Sequence, residues 1–198
     1  WCKLERDENM NNLILASSSP RRVQLLSDMG YCFKTCSPNI DETRREHEEA
    51  AQYCERMASE KALVVAKQNP QAVVIGADTI VVFGGHIIGK PKDLAHFKQI
   101  MELLQGQTHQ VITAVAVVLA GQVNKFNVRT NVEFRSLTAE EIENYWYSGE
   151  PKDKAGGYAI QGKGGQFVTS ISGSFSNVVG LPQVELHALL SSLGVTRG

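Results

Sequence analysis

The chain has 198 residues, of which 42% are hydrophobic and 21% charged, as is typical of a globular protein with a sizeable core. Its 20 basic and 21 acidic side chains leave a formal net charge of -1, so no global field favours nucleic acid or a membrane as a partner. The longest apolar stretch, VITAVAVVLAG, is too short to span a bilayer, and no signal peptide is visible. These features favour a cytoplasmic protein, in which any anion site has to be built locally.

The four cysteines are Cys2, Cys32, Cys36 and Cys54. Their spacing fits neither a zinc ribbon nor a redox pair, so we interpret them as reduced thiols of an intracellular protein, with Cys54 on a buried helix face. Residues 1–9, WCKLERDEN, precede the patterned sequence. We interpret them as a leader or an expression remnant, and residues 10–198 as a single domain.

The first predicted elements are a strand over 13–17 and a helix over 20–29 that Gly30 ends. A short strand near 31–36 and a long helix over 46–69 follow. Strand and helix therefore alternate through the first third of the chain.

In the middle of the chain, the sequence pattern predicts hairpins between helices. A buried strand over 72–83 runs into a turn at Gly84-Gly85, and Asp93 is placed to cap a helix to about residue 104. Two long strands, over 109–120 and 122–135, are joined by a second hairpin turn.

The last elements begin with Thr138 and Glu141, which form a capping box for a helix to about residue 148. A strand over 166–173, a loop over 173–182 and a closing helix over 181–194 follow. Because hairpins stand between the helices, the pattern predicts an α/β fold with a mixed twisted sheet rather than a pure doubly wound one.

The junction ASSSPRR combines hydroxyl and guanidinium groups at the start of a predicted helix. Ser19 suits the N-cap and Pro20 the first helical position. Free backbone N–H groups and the positive end of the helix dipole would then face the serines, and Arg21 and Arg22 would strengthen an anion site there. The alternative is a capped helix whose basic first turn is solvated.

Asp78 is the most informative residue, because it stands in the otherwise almost wholly apolar segment AVVIGADTIVVF. A lone carboxylate in a buried strand is costly unless it is paired, hydrogen-bonded or bound to a metal. Since strongly perturbed acids cluster at functional sites, we favour a functional role over a structural ion pair or a solvent-reaching bulge.

Lys61 shares one face of the long helix with Cys54, Ala58 and Val65. A lysine on an apolar face requires an anionic partner. The alternative is a lysine that snorkels to water at the edge of the core.

Lys90 lies in the rigid turn IIGKPKD, which either directs its ammonium group or is a plain surface turn. Asp41 and Glu42, in NIDETRRE, lie near the start of the long helix. They could ligate a divalent metal through oxygen or simply complement the helix dipole.

The glycine-rich segment DKAGGYAIQGKGGQFV matches neither the G-x-x-x-x-G-K-[ST] loop nor a G-x-G-x-x-G turn. It either lets a ligand approach the backbone closely or forms a tight irregular connection, and Gln161 within it could read a base edge. Ser174, Ser176 and Asn177 could contact phosphate or form turns.

Seven segments occur in the order ASSSPRR, NIDE, SEKA, GADTIV, GKP, KAGGYAIQG and GSFSNVVGLP. Together they resemble the Maf family of nucleotide pyrophosphatases, over about Leu13 to Leu193, and seven segments in order are far more specific than one. The resemblance implies an α/β fold related to inosine triphosphate pyrophosphatases, with two lobes around a central cleft.

Matched position by position, the resemblance makes Asp78 the catalytic acid. Phosphate- and metal-supporting positions fall on Ser17, Arg22, Glu42, Lys61 and Lys90, with Glu42 and Asp78 as metal ligands. Specificity positions fall on Arg21, Thr79 and Gln161.

The segments SPRR, ADT and AIQG resemble the branch that acts on dTTP and UTP, rather than the sister branch that acts on methylated GTP. The resemblance implies cleavage to the nucleoside monophosphate and pyrophosphate with a divalent cation, magnesium or manganese. It also leaves three points open: a homodimer, modified pyrimidine substrates and a role in arrest of septum formation. The alternative function is a nucleotide-binding regulatory protein that acts through partners.

Overall fold

The computed structural model describes residues 12–197, so the leader or remnant expected at residues 1–9 lies outside the described residues. The strands are β1 (Leu13–Ala16), β2 (Lys34–Thr35), β3 (Val73–Phe83), β4 (His86–Ile88), β5 (Thr108–Leu119), β6 (Gln122–Phe134) and β7 (Val168–Ser172). The helices are α1 (Pro20–Asp28), α2 (Ala50–Gln68), α3 (Leu94–Leu104), α4 (Ala139–Tyr147), α5 (Phe175–Val179) and α6 (Gln183–Ser192). Three 3₁₀ turns cover Glu150–Asp153, Ala155–Gly157 and Lys163–Phe167.

The described strands form one mixed sheet in the order β2-β1-β3-β5-β6-β7, with β4 also paired to β3. β1 pairs in parallel with β2 and β3, and the other pairs are antiparallel. The prediction of an α/β fold with a mixed sheet and flanking helices is therefore confirmed.

The long strand β3 creates the cleft. Its partner β1 ends at Ala16, opposite Gly76, whereas β3 stays paired with β5 as far as Val82. On the same edge of β3, the strand β4 pairs only from Val81 onward. Between these two pairings the edge of β3 is open, and the chain after β1 turns away from it.

Apolar side chains form three core clusters. One packs α1 and α6 on one face of β1, β3 and β5, and a second packs α2 on the opposite face. The third joins α3 and α4 to the far ends of β3, β5 and β6. The molecule thus has two lobes that share the long strands, with the open edge of β3 between them.

Several predicted elements are confirmed at their ends. Asp93 accepts a hydrogen bond from the backbone N–H of His96 at the start of α3. Thr138 and Glu141 form the expected capping box of α4. The turn between β3 and β4 uses Gly84 and Gly85, both at positive φ.

The long helix was predicted to begin at residue 46, and this is wrong. α2 begins at Ala50, where Glu49 and Gln52 form its capping box. His47 has a φ of 58°, which a right-handed helix cannot contain. Glu42 therefore lies in a loop that precedes the helix by several residues.

Three other predicted bounds also change. The strand near 31–36 shrinks to Lys34–Thr35, and the strand expected over 166–173 begins at Val168 because a 3₁₀ turn precedes it. The loop expected over 173–182 contains the short helix α5. No helix within residues 12–197 is long and apolar enough to cross a membrane.

Candidate active site

A cleft of about 600 Å³ opens at the free edge of β3. It brings together nine of the candidate residues that the sequence analysis singled out: Ser17, Arg21, Arg22, Glu42, Lys61, Asp78, Thr79, Lys90 and Gln161. The structure thus places these residues around one cleft, while the role of each stays a prediction.

The cleft is cationic, although the chain as a whole is not. Within residues 12–197, its lining includes five cationic and three anionic side chains, against a net charge of -1 for the whole chain. Walls of one dominant sign raise the local concentration of ligands of the opposite sign. The arrangement suits a polyanion.

Lys61 stands at the centre of the cleft between two carboxylates. Its Nζ lies 2.7 Å from Asp78 Oδ1 and 2.9 Å from Glu42 Oε1. The side chains of Lys61 and Asp78 are 12% and 14% exposed, whereas Glu42 is 55% exposed. The anionic partner that Lys61 was expected to need is therefore Asp78, and Glu42 joins the pair from the solvent side.

Glu42 is held in place by two contacts of different kinds. Burial alone would raise its pKa, but Lys61, with smaller contributions from Lys90 and Arg22, holds that pKa below its ordinary value. The Tyr53 hydroxyl donates a 2.9 Å hydrogen bond to the Glu42 carbonyl oxygen. Burial, reinforced by the charges of Asp78 and Glu42, raises the pKa of Tyr53 to about 12, so it stays a neutral donor.

The sequence analysis missed Tyr53, which also lines the cleft. It lies eight residues before Lys61 in the same helix, and residues two turns apart share one side of a helix. That spacing is the signal that would have found it. A second missed residue is Lys154, whose Nζ bonds the Glu150 carbonyl oxygen and Asp153 Oδ1, both at 2.7 Å.

Arg22 is fixed by three hydrogen bonds that point its guanidinium group at the cleft wall. Nε donates to the Gly180 carbonyl oxygen at 2.8 Å, Nη2 to Thr79 Oγ1 at 3.0 Å, and Nη1 to Ser17 Oγ at 3.4 Å. Burial lowers its pKa, which Asp78 opposes. A guanidinium has five N–H donors, so Arg22 retains donors for a phosphate oxygen.

The junction after β1 differs from the predicted cap in one detail. Ser19 occupies the N-cap position and Pro20 follows, as expected, but the Ser19 side chain makes no capping hydrogen bond. Instead, Ser17 Oγ accepts the backbone N–H of Ser19 at 3.1 Å. The nearly buried Ser17 hydroxyl therefore links the serine turn to Arg22.

Arg21, Lys90 and Gln161 lie at the rim of the cleft. Arg21 is 4.0 Å from Asp153 in a weak ion pair. The turn that carries Lys90 is tied to the glycine-rich segment by a bond from Gly156 N–H to the Gly89 carbonyl oxygen. Lys90 and Gln161 are both exposed, so each is free to turn toward a ligand.

The glycine-rich segment is explained by internal packing. A Cβ atom at any of its five glycines would meet atoms of Val81, Phe97, Glu150, Tyr145, Ala159 or Ile160. Glu150 accepts hydrogen bonds from the Tyr145 hydroxyl at 2.6 Å and from two backbone N–H groups of the segment at 3.0 Å. The interpretation as a tight irregular connection is thus confirmed, and this connection presents Gln161.

Ser174, Ser176 and Asn177 shape a turn and are not among the described residues that line the cleft. Ser174 Oγ accepts the Asn177 backbone N–H, and Ser176 Oγ accepts that of Gln183. Asn177 is fully buried against the sheet. The turn-forming alternative is the one the structure supports.

Cys54 is fully buried below Asp78, as its predicted helix face requires. Its thiol donates to the Asp78 carbonyl oxygen at 3.3 Å. Burial, reinforced by Asp78, raises its pKa to about 12, which makes this thiol inert as a nucleophile.

Fold and cleft together define an α/β protein with a cationic cleft built around a paired acid. The family described as Maf-like protein matches residues 12–193. The chain belongs to this family, as its seven ordered segments indicated.

Curated relatives cover nearly the whole chain. A protein of Salmonella typhimurium (strain LT2), named dTTP/UTP pyrophosphatase, is 49% identical over 95% of this chain and 96% of its own length. A protein of the same name from Vibrio cholerae is 50% identical over 91% and 97%. A third, from Escherichia coli O6:K15:H31, is 49% identical over 95% and 96%.

Two solved structures align with part of this chain. Protein VC0702 from Vibrio cholerae aligns with 63% of this chain and 58% of its own, at 12% identity and a TM-score of 0.40. The Staphylococcus aureus Ham1 protein aligns with 63% of this chain and 72% of its own, at 12% identity and a TM-score of 0.41. Likenesses this weak carry no argument about the fold or the site.

Proposed function

We propose that this chain hydrolyses dTTP and UTP to the nucleoside monophosphate and pyrophosphate. The observation that carries the proposal is the Asp78–Lys61–Glu42 group at the floor of a cationic cleft. The chain is an enzyme, a hydrolase that acts on acid anhydrides, as its relatives at about 49% identity are. The name that those relatives carry, dTTP/UTP pyrophosphatase, supports the choice of substrates.

The cations of the cleft suit the triphosphate. Arg22 is oriented by Gly180 and Thr79, and a guanidinium presents paired donors to phosphate oxygens. Lys90 and Arg21 add charge from the rim. These groups neutralise part of the triphosphate charge and fix its position, which supports in-line attack by water.

Asp78 acts as the general base. Its carboxylate is held by Lys61 at 2.7 Å and is 14% exposed, so it can still meet a water molecule in the cleft. It takes the proton of the water that attacks the α phosphorus, and pyrophosphate leaves. Lys61 keeps the base oriented throughout.

The donor set also fits a divalent cation, which stays a prediction. Within residues 12–197 no cluster of three or more His, Cys, Asp and Glu side chains is placed to hold a metal. Mg²⁺ is commonly held by one or two carboxylates together with substrate phosphates, and Asp78 and Glu42 converge on one ammonium nitrogen. When bound, such an ion supplies charge neutralisation at the phosphates.

Product analysis tests the proposal. A small amount of protein is incubated with a large excess of dTTP or UTP, with and without magnesium or manganese. We expect many turnovers, with equal amounts of monophosphate and pyrophosphate. Release of orthophosphate and a nucleoside diphosphate would change the reaction class, and binding without turnover would favour a nucleotide-binding regulator.

Oxygen-labelled water locates the attack. We expect the label in the monophosphate, because water attacks the α phosphorus and pyrophosphate leaves intact. Label in the pyrophosphate would contradict the proposed step. A homodimer, a cytoplasmic location, modified pyrimidine substrates and a role in septum arrest stay predictions for separate tests.

A further inference from the structure

A buried chain of hydroxyl groups lies behind Thr79. Thr113 stands directly opposite Thr79 in the β3–β5 register and is fully buried. Its Oγ1 lies 2.9 Å from Thr79 Oγ1 and 2.8 Å from the Asn177 carbonyl oxygen. Thr79 lines the cleft, whereas Thr113 is not among the described lining residues, so the hydroxyl of Thr113 reaches the cleft through its contact with Thr79.

The chemistry of these groups fixes the direction of every proton. A carbonyl oxygen only accepts, so the single hydroxyl proton of Thr113 goes to Asn177. The 2.9 Å contact between the two hydroxyls then requires the proton of Thr79. Arg22 Nη2, which only donates, points at Thr79 Oγ1 from 3.0 Å. Thr79 therefore retains one lone pair and no proton for a ligand.

Asn177 cannot turn away from this arrangement. Its Oδ1 accepts the Thr113 backbone N–H at 3.1 Å, and its Nδ2 donates to Thr130 Oγ1 at 2.8 Å and to the Val111 carbonyl oxygen at 3.2 Å. These bonds connect α5 to β5 and β6 inside a site with no exposure to water. Buried networks whose members are all satisfied hold one geometry.

We propose that Thr113 and Asn177 are positioning residues that fix Thr79 as a hydrogen-bond acceptor toward the cleft, where it selects the ring N–H of uracil and thymine. This inference rests on the proposed function for the identity of its ligands. Cytosine has a bare ring nitrogen at that position, and two acceptors that face each other repel. A Cβ at Gly180 would lie 3.4 Å from Thr79 Oγ1, so the glycine keeps the space beside the hydroxyl open.

Thr113→Val tests the inference, with Thr113→Ser as the matched control that keeps the hydroxyl. The valine variant removes the acceptor of the Thr79 proton, so Thr79 can rotate and donate to a ligand. Calorimetry measures the binding of UMP and CMP to each protein. We expect wild type and Thr113→Ser to prefer UMP by roughly tenfold, and Thr113→Val to lose most of that preference.

A second measurement uses the wild-type protein and alters the ligand. 3-Methyl-UMP lacks the ring N–H, and we expect it to bind about as weakly as CMP. This measurement tests the inference even if the Thr113→Val variant fails to fold. It reports on the donor itself, which a purely structural role of Thr113 would not affect.

The outcomes separate this inference from the proposed function. Equal preference for UMP in all three proteins would overturn the inference even where UTP is hydrolysed. A loss of binding with 3′-deoxy-UMP but not with 3-methyl-UMP would show that the protein recognises a ribose hydroxyl and not the ring N–H, and would also overturn the inference. A UMP preference that follows the variants in a protein that does not hydrolyse UTP would support the inference and reject the proposed function.

Discussion

At the scale of single residues, one ammonium group organises the centre of the cleft. Lys61 comes from a helix, Asp78 from a strand and Glu42 from a loop, and the three meet only because Lys61 bonds both acids. Without that cation, two carboxylates would face each other and repel. Lys61 therefore holds both acids in fixed positions at the cleft.

Asp78→Asn tests the assignment of the base. The amide keeps the size and hydrogen-bonding capacity of the side chain but cannot take a proton from water. We expect kcat for dTTP and UTP to fall at least ~10²-fold, the scale of general-base catalysis, while nucleotide binding is largely retained. Asp28→Asn, on the exposed face of α1, is the control and is expected to leave kcat unchanged. Near-normal turnover in Asp78→Asn would remove Asp78 from the catalytic role.

Gln161→Ala tests the expected base reader at the cleft rim. The side-chain amide of Gln161 can donate to the carbonyl oxygen of uracil or thymine at the ring position where cytosine carries an amino group, so it is mismatched to cytosine. We expect kcat/KM to fall roughly tenfold or more for UTP and much less for CTP, which narrows the gap between them. Gln166→Ala, in the neighbouring 3₁₀ turn, is the control. An equal loss on UTP and CTP would show that Gln161 does not read the base.

At the scale of elements, the contact between α2 and β3 sets the geometry of the site. Gly76 lets the strand approach the helix backbone at Ala58 and Ala62. Two residues further along β3 lies Asp78, and one residue before Ala62 in α2 lies Lys61. The close approach of backbone to backbone is therefore what brings the acid and the lysine within 2.7 Å.

Gly76→Ala should disrupt this contact. The added Cβ would lie 2.7 Å from the Ala62 nitrogen and still closer to the Ala58 carbonyl oxygen, and both are backbone atoms that cannot rotate away. We expect a loss of about 3 kcal/mol in the free energy of unfolding, the upper part of the range for overpacked cores. Chemical denaturation measures it. Gly89→Ala, with open space at its Cβ, is the control, and an equal effect in both variants would refute the packing argument.

The sequence predicted element types better than it predicted their ends. Caps with a side-chain oxygen, such as those at Asp93 and Thr138, were found because the cap is local. The start of α2 was missed because it depends on the positive φ of His47 and on ion pairs that connect Glu48 to Arg56. These arise from the loop as a whole, not from a periodic pattern.

The candidate site could be predicted only in part, for a similar reason. Asp78 was visible from its apolar surroundings, and Lys61 from its helix face. The hydroxyl chain from Thr79 through Thr113 to Asn177 was not visible, because its members come from two strands and a short helix. Sequence distance hides such contacts, and an expected loop concealed the helix that supplies Asn177.

At the scale of the whole molecule, the two lobes share their sheet but not their core. The lobe beyond the cleft packs an aromatic group around His109, which contacts Phe134 and Tyr158 edge to face. His109 is 2% exposed, and its Nε2 lies 2.7 Å from the Tyr158 hydroxyl. Its Nδ1 is buried without a hydrogen-bond partner within residues 12–197. A proton added there would have no acceptor.

This histidine predicts a pH dependence of global stability. Burial lowers the pKa of His109 from 6.5 to about 4, so between these values the unfolded chain binds a proton that the folded chain does not. The contribution of neutral His109 to the free energy of unfolding is complete above pH 6.5. It is lost as the pH falls toward 4, by up to about 3 kcal/mol. Arg56 and Arg135 lower the pKa values of Glu48 and Glu141 to about 2. These two carboxylates therefore change the free energy of unfolding only below about pH 4.5.

The pH window between 6.5 and 4.5 therefore isolates His109, and denaturation across it measures the effect. His109→Phe combined with Tyr158→Phe removes both polar partners at once, so that neither is left buried without the other. We expect the free energy of unfolding of this double variant to fall much less across the window than that of wild type. His47→Gln replaces a histidine whose side chain is 91% exposed and should retain the wild-type slope. If the double variant also retains that slope, the acid sensitivity of the fold lies elsewhere, because no other change in the variant alters the protons bound in this range.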